Sequence, residues 1–243
     1  MTGVSTLGFL VIALAVLLAA CLQACIGFGM GMLAAPVVAL IDPGLVPGAM
    51  IMLAASVTLL VTVRERAHVD LRGTGWALLG RLPGTAAGSL LVAVLPERGL
   101  ALMLAGVVLV GVVLTSLGWA PEPRRPALVL AGATSGLLGT ATAIGGPPMA
   151  LVWQRSVGAR LRGTMSGFFL VGSVLSVAGL SLAGAVDRHT LVGTAWLLPA
   201  VLLGYALSRA VNRLLDARRL RLTAITVSSF GAVLLIGKQL LDL

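Results

Sequence analysis

Eight stretches of roughly 20 apolar residues, set apart by short gaps that hold most of the arginines, dominate this sequence. They run over about 5–26, 45–63, 74–95, 99–118, 127–143, 163–184, 190–211 and 220–241. That is the length a helix needs to cross the hydrocarbon core of a bilayer. Soluble domains carry about 25% charged residues, whereas this chain of 243 residues is 10% charged and 58% hydrophobic. A soluble core of this size has too little interior to hide the excess. An aromatic content of 4% against 31 glycines favours helices packed through small residues over a β-barrel with aromatic girdles. The expectation is an all-α polytopic membrane protein. No Lys or Arg precedes Arg64, so the first stretch lacks the basic leader of a secretory signal and reads as a retained helix.

Two shorter apolar pieces, about 28–41 and 146–154, each follow a glycine-rich break: Gly27-Phe28-Gly29-Met30-Gly31 and Gly145-Gly146-Pro147-Pro148. Neither is long enough to cross comfortably alone, so both read as re-entrant half-helices. The halves of the chain also resemble each other. A shift of 112 places Gly27 on Gly139 and Pro36 on Pro148, and a shift of 116 places Pro83 on Pro199 and Gly88 on Gly204. A duplication of about 115 residues follows, with repeat 1 over 1–120, a linker over 121–126 and repeat 2 over 127–243.

Arginine placement orients these pieces. If each half-helix turns back on its predecessor, the loops 64–72, 119–126, 155–162 and 212–221 share one face and hold twelve arginines. The opposite loops then hold only Arg98 and Arg188; if the half-helices continue onward, the split is eight against six. The positive-inside rule selects the first arrangement. It places both termini in the periplasm, in a bacterial inner membrane, and gives the repeats opposite orientation, the architecture of secondary transporters. The net charge of +9 is thereby a matter of topology, and nucleic-acid binding is not expected.

Mid-membrane backbone that leaves the helix is tolerated only where protein or water lines it. Half-helices starting at Phe28 and Pro147 present amide groups and the positive end of the dipole, which suits an anion. Pro147 and Pro148 are compatible with a first helical turn. The candidate substrate-binding residues are therefore Gln23, Gly27, Phe28, Gly29, Gly31, Thr140, Gly145, Gly146 and Pro147. A side chain at Gly31 or Gly146 is expected to block the site and leave folding intact. Ser135, Thr142 and Gln154 are weaker candidates, and Ser56, Thr58 and Ser166 are candidates for the path. Arg81, alone inside a span, has two readings: it attracts an anion, or it snorkels to the interface.

Cys25-Ile26-Gly27-Phe28-Gly29-Met30-Gly31 with Pro36 resembles the glycine signature of the sulfite exporter TauE/SafE family. Ser135-Gly136-Leu137-Leu138-Gly139, then Ile144-Gly145-Gly146-Pro147-Pro148, is similar to that family's second copy, and His68-Val69-Asp70 fits its loop pattern. The resemblance implies export of sulfite, sulfoacetate or a related organosulfur anion. Met30 interrupts one glycine run and Thr140-Ala141-Thr142-Ala143 lengthens the other, so the substrate stays open. Two rivals are a transmembrane thiol carrier, prompted by Cys21 and Cys25, and a non-transporting scaffold. The second half holds no cysteine, which speaks against the first. No metal, cofactor or enzymatic constellation is expected; the partners are the small anion, the bilayer and possible second copies in a homodimer. With no carboxylate in mid-span, the membrane potential is the expected driving force, at about 2.3 kcal/mol per charge per 100 mV.

Overall fold

The structure is a computed structural model, and it describes residues 5–116, 122–214 and 237. Among these, the regular structure is helical throughout: α1 (Thr6–Ile26), α2 (Met30–Ile41), α3 (Gly48–Arg64), α4 (Leu71–Val94), α5 (Glu97–Ser116), α6 (Arg125–Thr142), α7 (Gly146–Val152), α8 (Gly158–Leu182) and α9 (Arg188–Leu214). Among the described residues four helices are long and apolar enough to cross a membrane, namely Thr6–Ile26, Leu71–Val94, Gly158–Leu182 and Arg188–Asn212. Helices occupy seven of the eight apolar stretches. The eighth, 220–241, lies outside the described residues, as do residues 117–121 and the arginines at 218, 219 and 221.

Both expected half-helices form, with shifted ends. α2 begins at Met30 because Gly27 and Gly29 take left-handed conformations, with φ of 91° and 108°, that end α1 and turn the chain. The second break turns at Ala143, φ 62°, and α7 stops at Val152. Pro43 and Pro47 bracket a 3-10 turn (Pro43–Leu45), which delays α3 to Gly48.

In lipid both faces of a helix are apolar, so size rather than polarity separates inside from outside. On α1, Leu7, Leu10, Leu14 and Leu18 form an exposed stripe, while Ile12, Val16, Ala19 and Ala20 are buried. Glycines let backbones touch. Gly80 and Gly84 of α4 lie against the carbonyls of Val129 and Ala133 of α6, and Gly132 and Gly136 answer against Ala77 and Arg81. The rising order of these contacts along both chains makes α4 and α6 parallel. Gly204 sets α9 against the Leu17 carbonyl of α1 in the same manner.

Three of the arginine-bearing loops, in their described residues, gather at one end. Glu65 pairs with Arg162 at 3.0 Å, Asp70 lies 3.9 Å from Arg160, and Asp70, Arg72, Arg124 and Arg125 line one cavity. At the other end Asp42 meets His189 at 2.9 Å, and Glu97 shares a cavity with Pro43 and Gly44. Gly27 packs on the backbone of Arg162, whereas Asp42, at the far end of α2, reaches His189. The α1–α2 pair is therefore a hairpin, and the described parts of the loops 64–72, 119–126 and 155–162 lie together at one end.

Two outcomes are expected. Gly84→Ala, which would drive a methyl into the Ala133 carbonyl, should cost about 1–3 kcal/mol, while Gly75→Ala on the same helix, with nothing nearby, should be neutral or mildly stabilising; thermal unfolding in detergent compares them. Asp187 caps α9, its Oδ1 accepting from the Thr190 amide and hydroxyl at 2.8 Å each, and these bonds hold its carboxyl below the usual range. A depressed pKa stabilises the fold above the unfolded value near ~3.9 and loses effect as pH falls through the folded value. Asp187→Ala should thus lower Tm at neutral pH, and the gap should close as the pH drops below the carboxylate range.

Candidate functional site

The two breaks meet. Gly31 of α2 lies directly against the carbonyl of Ala143, and the Phe28 ring lies over Gly146, where an added Cβ would be 3.0 Å from Cδ2. Between them is a cavity of about 40 Å³ lined by both breaks together with α3, α4 and α8. A water needs roughly 10–15 Å³ measured this way, so the space suits a few waters or one small oxyanion.

Each break is fixed by one polar side chain. Gln23 takes the amide of Met30 on Oε1 at 3.1 Å and donates Nε2 to the Ala54 carbonyl at 3.4 Å. It thereby caps the start of α2 from the preceding helix. Ser135 donates to the Gly145 carbonyl at 2.7 Å and accepts from Arg81 Nη1 at 3.1 Å. Helix geometry leaves the amides of Gly31 and Met32 without intrahelical acceptors. α7 is poorer, because Pro147 and Pro148 have no amide hydrogen to give. The expected symmetric cradle is therefore lopsided in donors.

Arg81 supplies the missing positive charge on the α7 side. It is 3% exposed, which excludes snorkelling. Its guanidinium lies 4.8 Å from the Phe168 ring centroid and 5.6 Å from that of Phe169, over the bare backbone of Gly172. Among the described residues no carboxylate pairs with it, and Nε has no hydrogen-bond partner. A buried cation without a counter-charge is costly in a membrane and is kept where an anion passes or binds.

Of the candidates named from sequence, Gln23, Phe28, Gly29, Gly31, Arg81, Gly145 and Gly146 line the cavity. Gly27 instead packs on Arg162 and Met165 of α8. Thr140 shares a 2.7 Å hydrogen bond with Ser176 away from the lining. Pro147 is built into the first turn of α7 and does not line the space. Gly31 proves structural as well: any side chain there strikes the Ala143 carbonyl, so a bulky residue is not the clean block the sequence suggested. Gly146 keeps that use, since the neighbouring group is a ring that can shift. Ser173, Gly139 and Phe169 were missed; the only signal was Phe168-Phe169 followed by Gly172, an aromatic pair beside a gap.

Cys21 and Cys25 are buried free thiols on α1, and Cys25 donates to the Ser208 carbonyl at 3.6 Å. A redox carrier has no second thiol pair to work with in this sequence.

Interlocked broken helices around a small cationic cavity, inside an apolar helical bundle, define a membrane transporter. The sulfite exporter TauE/SafE family model matches residues 12–235, nearly the whole chain, and the protein belongs to that family. No curated protein and no solved structure matches the chain significantly.

Removing the Arg81 charge should relieve the cost of burying it. Arg81→Met is expected to keep or raise the anion-free Tm while losing any rise of Tm with added anion, and Arg81→Lys should retain part of that rise; differential scanning fluorimetry with and without sulfite separates the two effects.

Proposed function

We propose that this chain exports a small sulfur-containing anion, sulfite or a compact organosulfonate, through the cavity between the two helix breaks. The observation that carries the reading is Arg81: a buried guanidinium without a carboxylate partner among the described residues, bordering a cavity of oxyanion size. Amides at the start of α2 and the Ser173 hydroxyl supply further donors on the lining. Phe28 and Phe169 on the lining lower the local dielectric, which strengthens each polar contact.

The two halves act as inverted repeats. Packing supports this: α1 lies on α9 as α6 lies on α4, α2 follows α1 as α7 follows α6, and α3 faces α8 across the centre. Pro83 and Pro199 sit inside α4 and α9. The end carrying Arg64, Arg72, Arg124, Arg125, Arg160 and Arg162 is cytoplasmic, which puts the Asp42–His189 end in the periplasm.

Both ends of the path are tied. On the inner side Glu65 is held by Arg64 at 3.1 Å and Arg162 at 3.0 Å, and Arg64 also donates to the Ala24 carbonyl at the end of α1. On the outer side Asp42 and His189 join α2 to α9. Transport alternates the release of these ties around a fixed site, and an interior-negative potential drives the anion outward.

In proteoliposomes, sulfite efflux should accelerate when the interior is made negative and should fall at least tenfold in Arg81→Gln. In the folded Gly146→Val variant both flux and the anion-dependent Tm rise should disappear. Full flux in folded Gly146→Val would place the path elsewhere. In a background lacking Cys21 and Cys25, an impermeant maleimide should label cysteines at 43 and 185, but not at 68 or 158, in intact cells; the reverse pattern overturns the orientation.

A further inference from the structure

A second cationic site lies away from the transport cavity, where α4 and α6 begin. It is an open cavity of about 410 Å³ lined by Arg72, Trp76, Arg124, Arg125 and Leu128, with Asp70 and Gly73 at its edge. The acids nearby are already engaged: Asp70 caps α4 through the Gly73 amide at 2.9 Å and lies 3.9 Å from Arg160, and Glu122 pairs with Arg124 at 2.8 Å. Among the described residues Arg72 and Arg125 have no carboxylate partner. Arg125 is exposed, and its guanidinium is laid on the Trp76 ring, 5.1 Å from the centroid. Both arginines occupy the first turn of a helix, where the dipole is unfavourable to a cation and adds to the local positive potential.

Beyond the cavity the same two helices carry exposed apolar side chains, Leu71 and Leu79 on α4 and Leu130 on α6. A ligand that satisfies both halves has an anionic phosphodiester at the arginines and hydrocarbon along the leucines. We propose that this cavity binds the headgroup of an anionic phospholipid, with phosphate between Arg72 and Arg125, the glycerol against Trp76 and the acyl chains along the α4–α6 face. Basic pockets between membrane helices, flanked by an interfacial Trp, have the chemistry for such headgroups. The α4–α6 pair has its backbones in direct contact at Gly80, Gly84, Gly132 and Gly136, so the site is built on a rigid support and bound lipid should add stability to that pair.

The test measures thermal unfolding of the whole protein in detergent titrated with phosphatidylglycerol or phosphatidylcholine, with native mass spectrometry counting retained lipid. Phosphatidylglycerol should raise Tm saturably, and phosphatidylcholine should not. Arg72→Gln with Arg125→Gln should weaken the apparent affinity at least tenfold. Trp76→Leu, which keeps both charges and the fold, should weaken it several-fold. Arg66→Gln, which removes an exposed arginine outside the cavity at the same end, should leave it unchanged. An equal loss in Arg66→Gln would reduce the effect to diffuse electrostatics, an equal shift with water-soluble glycerol phosphate would make this a free-phosphate site, and a titration indifferent to lipid or to the cavity variants would remove the site altogether.

Discussion

The structure depends on one contact, that of the first helix break with the second. Backbone that leaves the helix inside a bilayer exposes amides and carbonyls that lipid cannot satisfy. Here each break covers the other: the Ala143 carbonyl lies on Gly31, and Phe28 covers Gly146. Neither half of the chain can make this arrangement alone. The tight glycine contacts between α4 and α6 and between α9 and α1 serve the same end, because they bring the helices carrying the breaks close enough to interlock.

How much of this was legible in the sequence depends on the kind of signal. Helix positions follow from apolar length, and the breaks follow from glycine and proline, since both are set by local chemistry. The grouping of the loops 64–72, 119–126 and 155–162 at one end agrees with their arginines, because a cation is costly to move across lipid. The roles of single polar residues were harder to read. Gln23 lines the cavity as expected, but its amide also holds Met30 and Ala54, a structural role the sequence did not reveal. Thr140 was expected at the site and instead bonds Ser176. Side-chain direction about a helix axis decides such cases, and in an apolar chain there is no polar face to reveal that direction. Arg81 shows the same limit: its depth along α4 was clear, but its turn inward, under Phe168 and Phe169, comes from the room left by Gly172 on another helix.

Charge is distributed in three layers. The ends carry paired groups, Glu65 with two arginines and Asp42 with His189. Arg81 lies between them with no carboxylate partner among the described residues. Paired charges hold a geometry and can exchange partners at modest cost near water. A lone buried cation is a standing electrostatic demand. In the proposed function the anion itself completes that centre.

The unequal division of donors between the breaks has a consequence for whether the halves could be exchanged. Under the shift of 116 that aligns Pro83 with Pro199, the position matching Arg81 is Leu197, an apolar side chain buried in the core. Pro147 and Pro148 withhold amides from the break that Arg81 borders, whereas the break before α2 keeps its own. The halves are therefore not interchangeable parts: one supplies the charge and the other the break that needs it.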